Sequence, residues 1–457
     1  EECNFEIRNM VEKINSIAQQ IAALTKQINT LEVNGGKAND LRDQRNLLVD
    51  ELSQIANITV TEKVVGDGIG VTSYVIKIDG QTLVDTAEYN KLKVVPREYK
   101  QNQNDIDGLY DVYWENGQEF NLGSPNIGGA LRGLYEIRDG NNLHNLQGKV
   151  TAAAGETFIV VTGTTINEVE KLNIPETGKI KLGNQEYAYV GFEVKIDETT
   201  GEFIYTFELK EPLTSQFVDA TASIGESINY KGIPYYLDQM NEFIRTFSKA
   251  FNKIHRTGKD LDNDAGMDFF TATNKVSGRE YVFGPYADSD DYYYYDYSTF
   301  NSQTGSFYEE VPSNQPLYGS YYFMTAENFT INSLLINNPR NFAASTDVLN
   351  GIDNNDIVEK LIGLKADKSM FGTGTPAGFM QTLVADIGID TRKANNFTES
   401  QENILKAISN QKLSVSGVDM DEEAMNLVRF QNAYNLSAKV VSVMNEIYDR
   451  LINYMGV

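Results

Sequence analysis

Residues 5–33 read FEIRNMVEKINSIAQQIAALTKQINTLEV and carry an apolar repeat seven residues long. Its two series, three positions apart, are Ile7, Ile14, Ile21 and Ile28, and Met10, Ile17, Leu24 and Leu31. A repeat of this kind places both series on one face of an α-helix. It therefore predicts a long helix that packs lengthwise against other helices, either in an ordinary bundle core or in an assembly of several copies.

The next segment predicts a second helix that runs back along the first. Asn34-Gly35-Gly36 interrupts the repeat, and a stripe formed by Leu41, Leu48, Leu52 and Ile55 follows over about 39–55. A short connection between two amphipathic helices favours an antiparallel hairpin. Residues 1–56 are therefore predicted to be a hairpin of stem helices.

From residue 57 the apolar period changes from helical spacing to two, which is typical of strands. The predicted strands of the first block cover 59–65, 71–78, 91–95 and 110–114. Those of the second block cover 158–161, 179–182, 187–194 and 203–209. We predict a β-rich domain over 57–127, a stem helix over 128–144, and an inserted β-rich domain over 145–229.

The rest of the chain returns to helical spacing, with one unusual stretch. Residues 230–257 predict a stem helix with a continuous buried stripe of Leu237, Met240, Phe243, Ile244, Phe247 and Phe251. Residues 258–327 contain 11 of the 26 tyrosines, interleaved with aspartates. This insertion could be a packed core, a contact surface or a loop. Residues 328–416 predict further stem helices and connections.

Residues 417–457 predict a C-terminal assembly helix. Asp419 stands at a capping position, Glu422 stands three residues later, and the first turn is acidic, as the helix dipole prefers. The helix has an apolar seam formed by Leu427, Phe430, Tyr434, Val441, Met444, Tyr448, Leu451 and Met455. A helix this long and this apolar needs partner helices, so the seam is the candidate assembly interface.

These segments define the predicted fold class. Helical stripes that are far apart in sequence must meet if they are to be buried. We therefore predict an α+β multidomain protein. Its coiled-coil or bundle stem is built from long helices at both ends of the chain, and inserted β-rich outer domains protrude from it.

Composition excludes several classes of function. The formal charge is 39 − 64 = −25, which repels phosphate backbones and anionic lipid, so neither nucleic acid nor a membrane is expected as a partner. One cysteine and two histidines 111 positions apart leave little for a zinc site or a nucleophilic triad. No catalytic residue, metal site or cofactor is predicted, and the chain is not expected to be an enzyme.

One acidic stretch, residues 260–268, resembles a calcium-binding loop. Ala265 occupies the sixth position, where such a loop requires glycine, and Thr271 occupies the twelfth, where it requires glutamate. A solvated acidic turn is the favoured interpretation.

Four ordered stretches resemble the family of flagellar hook-associated protein 1. The C-terminal stretch has an SVSGV lead-in at 414–418, then DEEA, and then residues 427–440. The DLRDQRN segment starting at Asp40, the GGALRGLYEIRDG segment over 128–140, and the segment over 235–255 complete the set. Leu436 departs from the family's usual small residue, and the family's N-terminal region has no counterpart before Glu1.

The resemblance implies a secreted structural subunit at the junction between the hook and the filament of the bacterial flagellum, needed for filament assembly and motility. It further implies self-association in a ring and contacts with hook protein and a second hook–filament junction protein. It also implies export by the flagellar type III apparatus, with a chaperone bound to the C-terminal helix. The alternative is a surface-exposed adhesin or ligand-binding module that uses the β-rich and tyrosine-rich insertions.

Overall fold

A computed structural model describes residues 1–65, 71–197, 199–283, 317–347, 354–372 and 374–454. The chain divides into two compact units, Glu1–Phe379 and Met380–Val457. All the described strands lie in the first unit, and the second is helical, so the fold is α+β with β-rich regions and a long C-terminal helix.

The two helices predicted at the start of the chain are confirmed. Helix α1 spans Glu2–Val33 and α2 spans Asn39–Ile55. All four isoleucines of the first series are buried, but the second series is buried only in part: Leu24 is half-buried and Leu31 is 42% exposed. The buried face is instead completed by Val11, Ala18 and Thr25, each four residues after an isoleucine.

The strands that follow explain this rotation of the buried face. Strands β1 (Ile58–Val65), β2 (Val71–Ile78), β3 (Gln81–Asp85) and β4 (Glu88–Tyr89) form an antiparallel sheet in that order. Strands β5 (Leu92–Pro96) and β6 (Tyr110–Trp114) form a second antiparallel pair. Because α1 contacts these strands as well as α2, its buried face is displaced from the seam that two helices alone would share.

Helix α3 (Gly129–Asp139) completes this part of the first unit, which we call the stem lobe (residues 1–139). One hydrophobic core joins α1, α2 and α3 to the strands, and it includes Trp114, the only tryptophan. The sequence boundary proposed at 56/57 therefore separates residues that share a core. The proposed domain limits as a whole stay a prediction.

Residues 147–224 form a closed six-stranded barrel. Its strands are β7 (Gln147–Ala152), β8 (Phe158–Thr162), β9 (Gly178–Leu182), β10 (Gln185–Ile196), β11 (Phe203–Leu209) and β12 (Phe217–Ile224), in the order β10-β11-β8-β7-β12-β9. Alternate residues point inward, and the interior is packed with aromatic rings, including Tyr189, Tyr205 and Phe207. Strands β7 and β12 close the barrel, and neither was predicted.

Helix α4 (Ile233–His255) lies where it was predicted, but the prediction of its buried stripe is wrong. All six apolar residues of that stripe are only half-buried. The buried stripe is polar and consists of Asp238, Asn241, Arg245, Ser248, Asn252 and His255. The physical reason is that this face of α4 meets loops, whose backbone groups require hydrogen-bond partners.

Short elements complete the first unit. Strand β13 (Phe270–Ala272) pairs antiparallel with β16 (Phe329–Ile331), and β14 (Tyr281–Val282) pairs parallel with β15 (Leu317–Tyr318). Helices α5 (Ser333–Asn337) and α6 (Asp356–Gly363) follow. Residues 284–316 of the tyrosine-rich insertion predicted over 258–327 lie outside the described residues.

Two long helices end the chain. Helix α7 (Pro376–Ser416) begins in the first unit and continues through the second, and α8 (Met420–Tyr454) follows after a three-residue break. The break near 416–417 was predicted. Among the described helices, none is sufficiently long and apolar to cross a lipid bilayer.

Candidate assembly interface

The start of α8 is set by a glycine and an aspartate. A Cβ atom at Gly417 would lie 2.3 Å from the Leu413 carbonyl oxygen, so the chain can end α7 in this way only with glycine. The Asp419 carboxylate accepts hydrogen bonds from the backbone N–H groups of Asp421, at 2.9 Å, and Glu422, at 3.3 Å. The predicted cap is therefore confirmed, and acidic residues fill the first turn.

The predicted seam on α8 faces solvent along its described length. Its exposed fractions run from 48% at Met444 to 75% at Tyr434. The other seam residues in this range are Leu427, Phe430, Val441, Tyr448 and Leu451. Met455 lies outside the described residues. A continuous row of large apolar side chains in water is unfavourable, so this seam stays the candidate interface.

The apolar surface extends beyond the seam itself. A flank of α8 exposes Val440, Val443, Ile447 and Ile452. Helix α7 exposes Val384, Ile387, Ile389, Phe397, Ile404, Leu405, Ile408, Leu413 and Val415. In the described part of the second unit, these exposed apolar side chains on two consecutive helices therefore have no covering layer.

A second uncovered apolar surface lies on the stem lobe, between α1 and α2. This groove has a volume of about 470 Å³, and Ala23, Leu24, Leu47 and Leu48 form its apolar floor. Leu47 is 68% exposed. The polar rim consists of Gln20, Gln27, Gln44 and Glu51. An apolar floor between two parallel polar rims has the form that receives an amphipathic helix.

The motif at 128–140 has a structural role in the stem lobe. Asp139 accepts hydrogen bonds from Arg97 Nη2 at 2.6 Å and from Arg138 Nη2 at 2.7 Å, and all three side chains are almost fully buried. Arg138 also donates to Asn4 Oδ1 at 2.9 Å and to the Tyr110 carbonyl at 2.8 Å. This charge cluster therefore ties the end of α3 to the start of α1 and to the β5–β6 pair.

The electrostatics of this cluster follow from its burial. Burial acts against a charged Asp139, but the neighbouring guanidinium groups of Arg97 and Arg138 outweigh it and lower the pKa of the carboxyl group. The glycines at either end of α3 are required by close packing. A Cβ at Gly129 would lie 2.5 Å from the Ile55 carbonyl oxygen, and one at Gly140 would lie 2.8 Å from that of Tyr230.

The motif that starts at Asp40 joins α2 to α1 and to the first sheet by ion pairs. Arg42 contacts Glu32 of α1 and Glu62 of β1, each at 2.8 Å. Arg45 is buried, donates to Glu62 at 3.1 Å, and stacks on the ring of Tyr74 with 3.6 Å to the centroid. The two arginines therefore join the helical hairpin to the sheet, and the motif has a packing function.

Sequence reasoning missed the polar stripe of α4. The signal was present, because residues 238, 241, 245, 248, 252 and 255 are spaced alternately three and four apart, which places them on one helix face. Polar residues are not expected at buried positions, so only the apolar stripe was predicted to be buried. His255 illustrates the arrangement: its ring lies 2.6 Å from the Met267 carbonyl and accepts from the Ala343 N–H at 3.0 Å.

The acidic residues considered as metal ligands make local hydrogen bonds in the structure. Asp260 accepts from the backbone N–H groups of Asp262 and Asp264, each at 2.9 Å, as in an acidic turn. The part of the chain that the structure describes holds no group of three or more His, Cys, Asp or Glu side chains arranged to bind a metal ion.

Comparisons with known proteins match this chain to flagellar families. A family model described as flagellar hook-associated protein FlgK helical domain matches residues 1–181, and one described as flagellar basal body rod FlgEFG protein C-terminal matches residues 409–454. Flagellar hook-associated protein 1 of Escherichia coli (strain K12) is 25% identical over 457 residues, covering 98% of this chain and 71% of that protein. The chain belongs to the flagellar hook-associated protein 1 family.

Further relatives have the same name. Flagellar hook-associated protein 1 of Salmonella typhimurium is 26% identical with the same coverage, and that of Bacillus subtilis (strain 168) is 22% identical over 99% of this chain and 66% of that protein. Among solved structures, the flagellar hook junction protein FlgK from Burkholderia pseudomallei is similar with a TM-score of 0.40 and 17% identity. The likeness covers 91% of this chain and 85% of that one.

Membership of the hook-associated protein 1 family gives the chain a structural role in the flagellum, at the hook–filament junction. The adhesin alternative is not favoured. The match of residues 409–454 to a family of rod proteins covers all of α8, so the described seam residues lie in a part of the chain that resembles other flagellar components.

Proposed function

We propose that this junction subunit assembles through the α8 seam, which packs against helices of neighbouring copies. The observation that supports the proposal is the exposure of seven described seam residues on one 35-residue helix. Complete burial of a large apolar side chain contributes about 1.5–3 kcal/mol, and association must offset several kcal/mol of lost freedom. Seven such side chains exceed that cost, whereas one or two would not.

The stem is proposed to be completed by a helix laid into the α1–α2 groove. Leu24, Leu47 and Leu48 would contact its apolar stripe, while glutamines on the rim remain in water. The stem would then be built from several long helices, of this chain or of neighbouring copies.

The partners and the export route form the finer part of the proposal. Copies would form a ring, with hook protein on one side and a second hook–filament junction protein on the other. Before assembly, an export chaperone would cover α8 while the flagellar type III apparatus exports the chain. Exposed apolar helices support this sequence of events, because such surfaces associate without specificity when left uncovered. The proposed role is mechanical and involves no catalysis.

Complementation tests the seam. In a strain that lacks its own copy of this protein, Phe430→Asp and Tyr434→Asp place a charge in the seam. We expect hooks without filaments and flagellin released into the medium, counted by electron microscopy and by immunoblot of the supernatant.

The matched control is Asn435→Asp, which adds the same charge as either single substitution, on the opposite face of the same helix. It should restore filaments to wild-type number. Full-length filaments on cells that carry the Phe430→Asp/Tyr434→Asp variant would refute the assignment of the seam, as would equal loss in the Asn435→Asp control.

A further inference from the structure

The barrel and the stem lobe are built on separate cores. The barrel core and the stem-lobe core have no residue in common. The chain enters the barrel after Gly140 and leaves it before Gly232, and these two segments lie side by side. Asn142 N–H donates to the Tyr230 carbonyl at 2.9 Å, and Gly232 N–H donates to that of Gly140 at 3.0 Å. A two-stranded neck of this kind would, by itself, allow the barrel to swing.

A second attachment exists, and Arg245 of α4 is at its centre. This side chain is 1% exposed, and its charge is spread over hydrogen bonds to groups in three segments. It donates to the Leu172 carbonyl inside the barrel segment at 2.7 Å, and to the carbonyls of Tyr322 and Met324 at 2.8 Å each. It also donates to Gln103 Oε1 at 2.7 Å.

The side chain of Tyr322 packs inside the barrel, although this residue lies outside the sequence segment that forms the barrel. Its side chain is fully buried and belongs to the barrel core, although the barrel strands end at Ile224. The ring meets Phe192 edge-on with centroids 5.9 Å apart, and the hydroxyl donates to the Ile174 carbonyl at 2.7 Å. Because Arg245 holds the backbone of this same residue, the inserted ring is fixed to α4.

Asp238, two helical turns before Arg245, forms a third contact. Its carboxylate accepts from the side-chain amide of Asn173 at 2.8 Å, on the barrel side. On the stem-lobe side it accepts from the amides of Asn104 at 2.6 Å and Asn102 at 3.2 Å. One buried side chain of α4 therefore bonds the barrel segment and the stem lobe together.

We propose that the barrel is a fixed arm of α4, locked by the inserted Tyr322 ring and by Arg245, and not an appendage that swings on its neck. Swinging would withdraw a buried aromatic ring from a packed core and would remove the acceptors of a buried guanidinium group. Each of these changes is among the costliest single disruptions in a protein. Movement of the stem helices is therefore transmitted to the barrel. The proposal does not depend on the assembly role of α8.

Pulsed electron–electron double resonance tests the lock directly. Spin labels are attached at Asp43→Cys on α2 and Glu202→Cys on the barrel, in a chain with Cys3→Ser. The expected result is one narrow distance distribution. A broad distribution in this otherwise unsubstituted chain would overturn the proposal without reference to any variant.

Two variants remove the lock. Tyr322→Ala removes the inserted ring and Arg245→Met removes the hydrogen-bonding centre, and each should broaden the distribution at least twofold. Tyr322→Phe is the milder form, because it loses only the bond to Ile174, and it should broaden the distribution less. The matched control is Val161→Ala on β8, which weakens the barrel core but leaves the contacts of Tyr322 with Ile174 and of Arg245 in place, and it should leave the width unchanged. An unchanged width in both lock variants, or equal broadening in the control, would contradict the proposal.

Discussion

Replacement of Asp139 by asparagine tests the charge cluster that joins α3, α1 and the β5–β6 pair. The substitution keeps the shape of the side chain but removes its charge. Arg97 and Arg138 would remain buried, with side-chain exposures of 6% and 4%. Arg97 would keep Asp111 at 2.6 Å, whereas Arg138 would keep only neutral acceptors.

The expected loss of stability follows from this geometry. Removal of one partner from a buried ion pair costs about 3–5 kcal/mol, because the remaining charge is left without compensation. Two arginines lose a partner here, but one retains another, so we expect Asp139→Asn to lower the free energy of unfolding by about 4 kcal/mol at pH 7. Since the pKa of Asp139 is lowered in the folded state, its contribution is present above the ordinary value of 3.8 and is lost as the pH falls.

The fluorescence of Trp114 allows the unfolding of the stem lobe to be measured. It is the only tryptophan and lies in the stem-lobe core, so its fluorescence during urea unfolding reports on this core. The control is Asp111→Asn, since Asp111 is one-third exposed and its ion pair among the described residues is with Arg97. That variant should lose about 1 kcal/mol. A loss below about 1 kcal/mol for Asp139→Asn, or equal losses for the two variants, would refute the reasoning.

Two further predictions concern burial. Burial lowers the pKa of His255 in the folded state, so the unfolded chain takes up the proton first and the stabilising contribution of neutral His255 is lost as the pH falls below about 6.5. The free energy of unfolding, measured in urea at pH 7 and at pH 5, should therefore fall less at the lower pH for His255→Gln than for the wild type. A difference between the two proteins that is independent of pH would contradict this. Ile14→Ala should cost about 2–5 kcal/mol by the Trp114 signal. The matched Leu24→Ala change on the exposed groove should cost under about 1 kcal/mol, so equal losses would argue against the rotated face of α1.

Sequence periodicity predicted the helices and strands better than it predicted which other elements they pack against. The isoleucines of α1 specified a helix and its buried side, but nothing local in the sequence shows that this side also meets β2–β5. Leu31 therefore looked equivalent to Ile28, although one is 42% exposed and the other is buried. Which surface covers a stripe depends on contacts between residues far apart in sequence, and a single sequence does not contain that information.

The barrel and α4 show two other limits. Strand β12 has an irregular exposure pattern and a shift in register between Phe217 and Ala220, so its alternation is weak and it escaped prediction. On α4 the hydrophobic residues were read as the buried stripe, because burial of a polar face is favourable only when specific backbone groups are there to bond with it. The candidate seam on α8 stays a prediction, and the structure shows only that its described residues are exposed.

The parallel pairing of Tyr281–Val282 with Leu317–Tyr318 has a consequence for how this protein can vary. The described strands on either side of residues 284–316 are hydrogen-bonded neighbours, so the two anchor points of that stretch lie side by side. A longer loop between two adjacent fixed points costs little more to close than a short one, about 0.6 kcal/mol for each doubling of its length. The stretch between these anchor points can therefore be lengthened, shortened or replaced over evolution without altering the long helices of the chain, and an experimenter could graft an epitope or a reporter there on the same grounds.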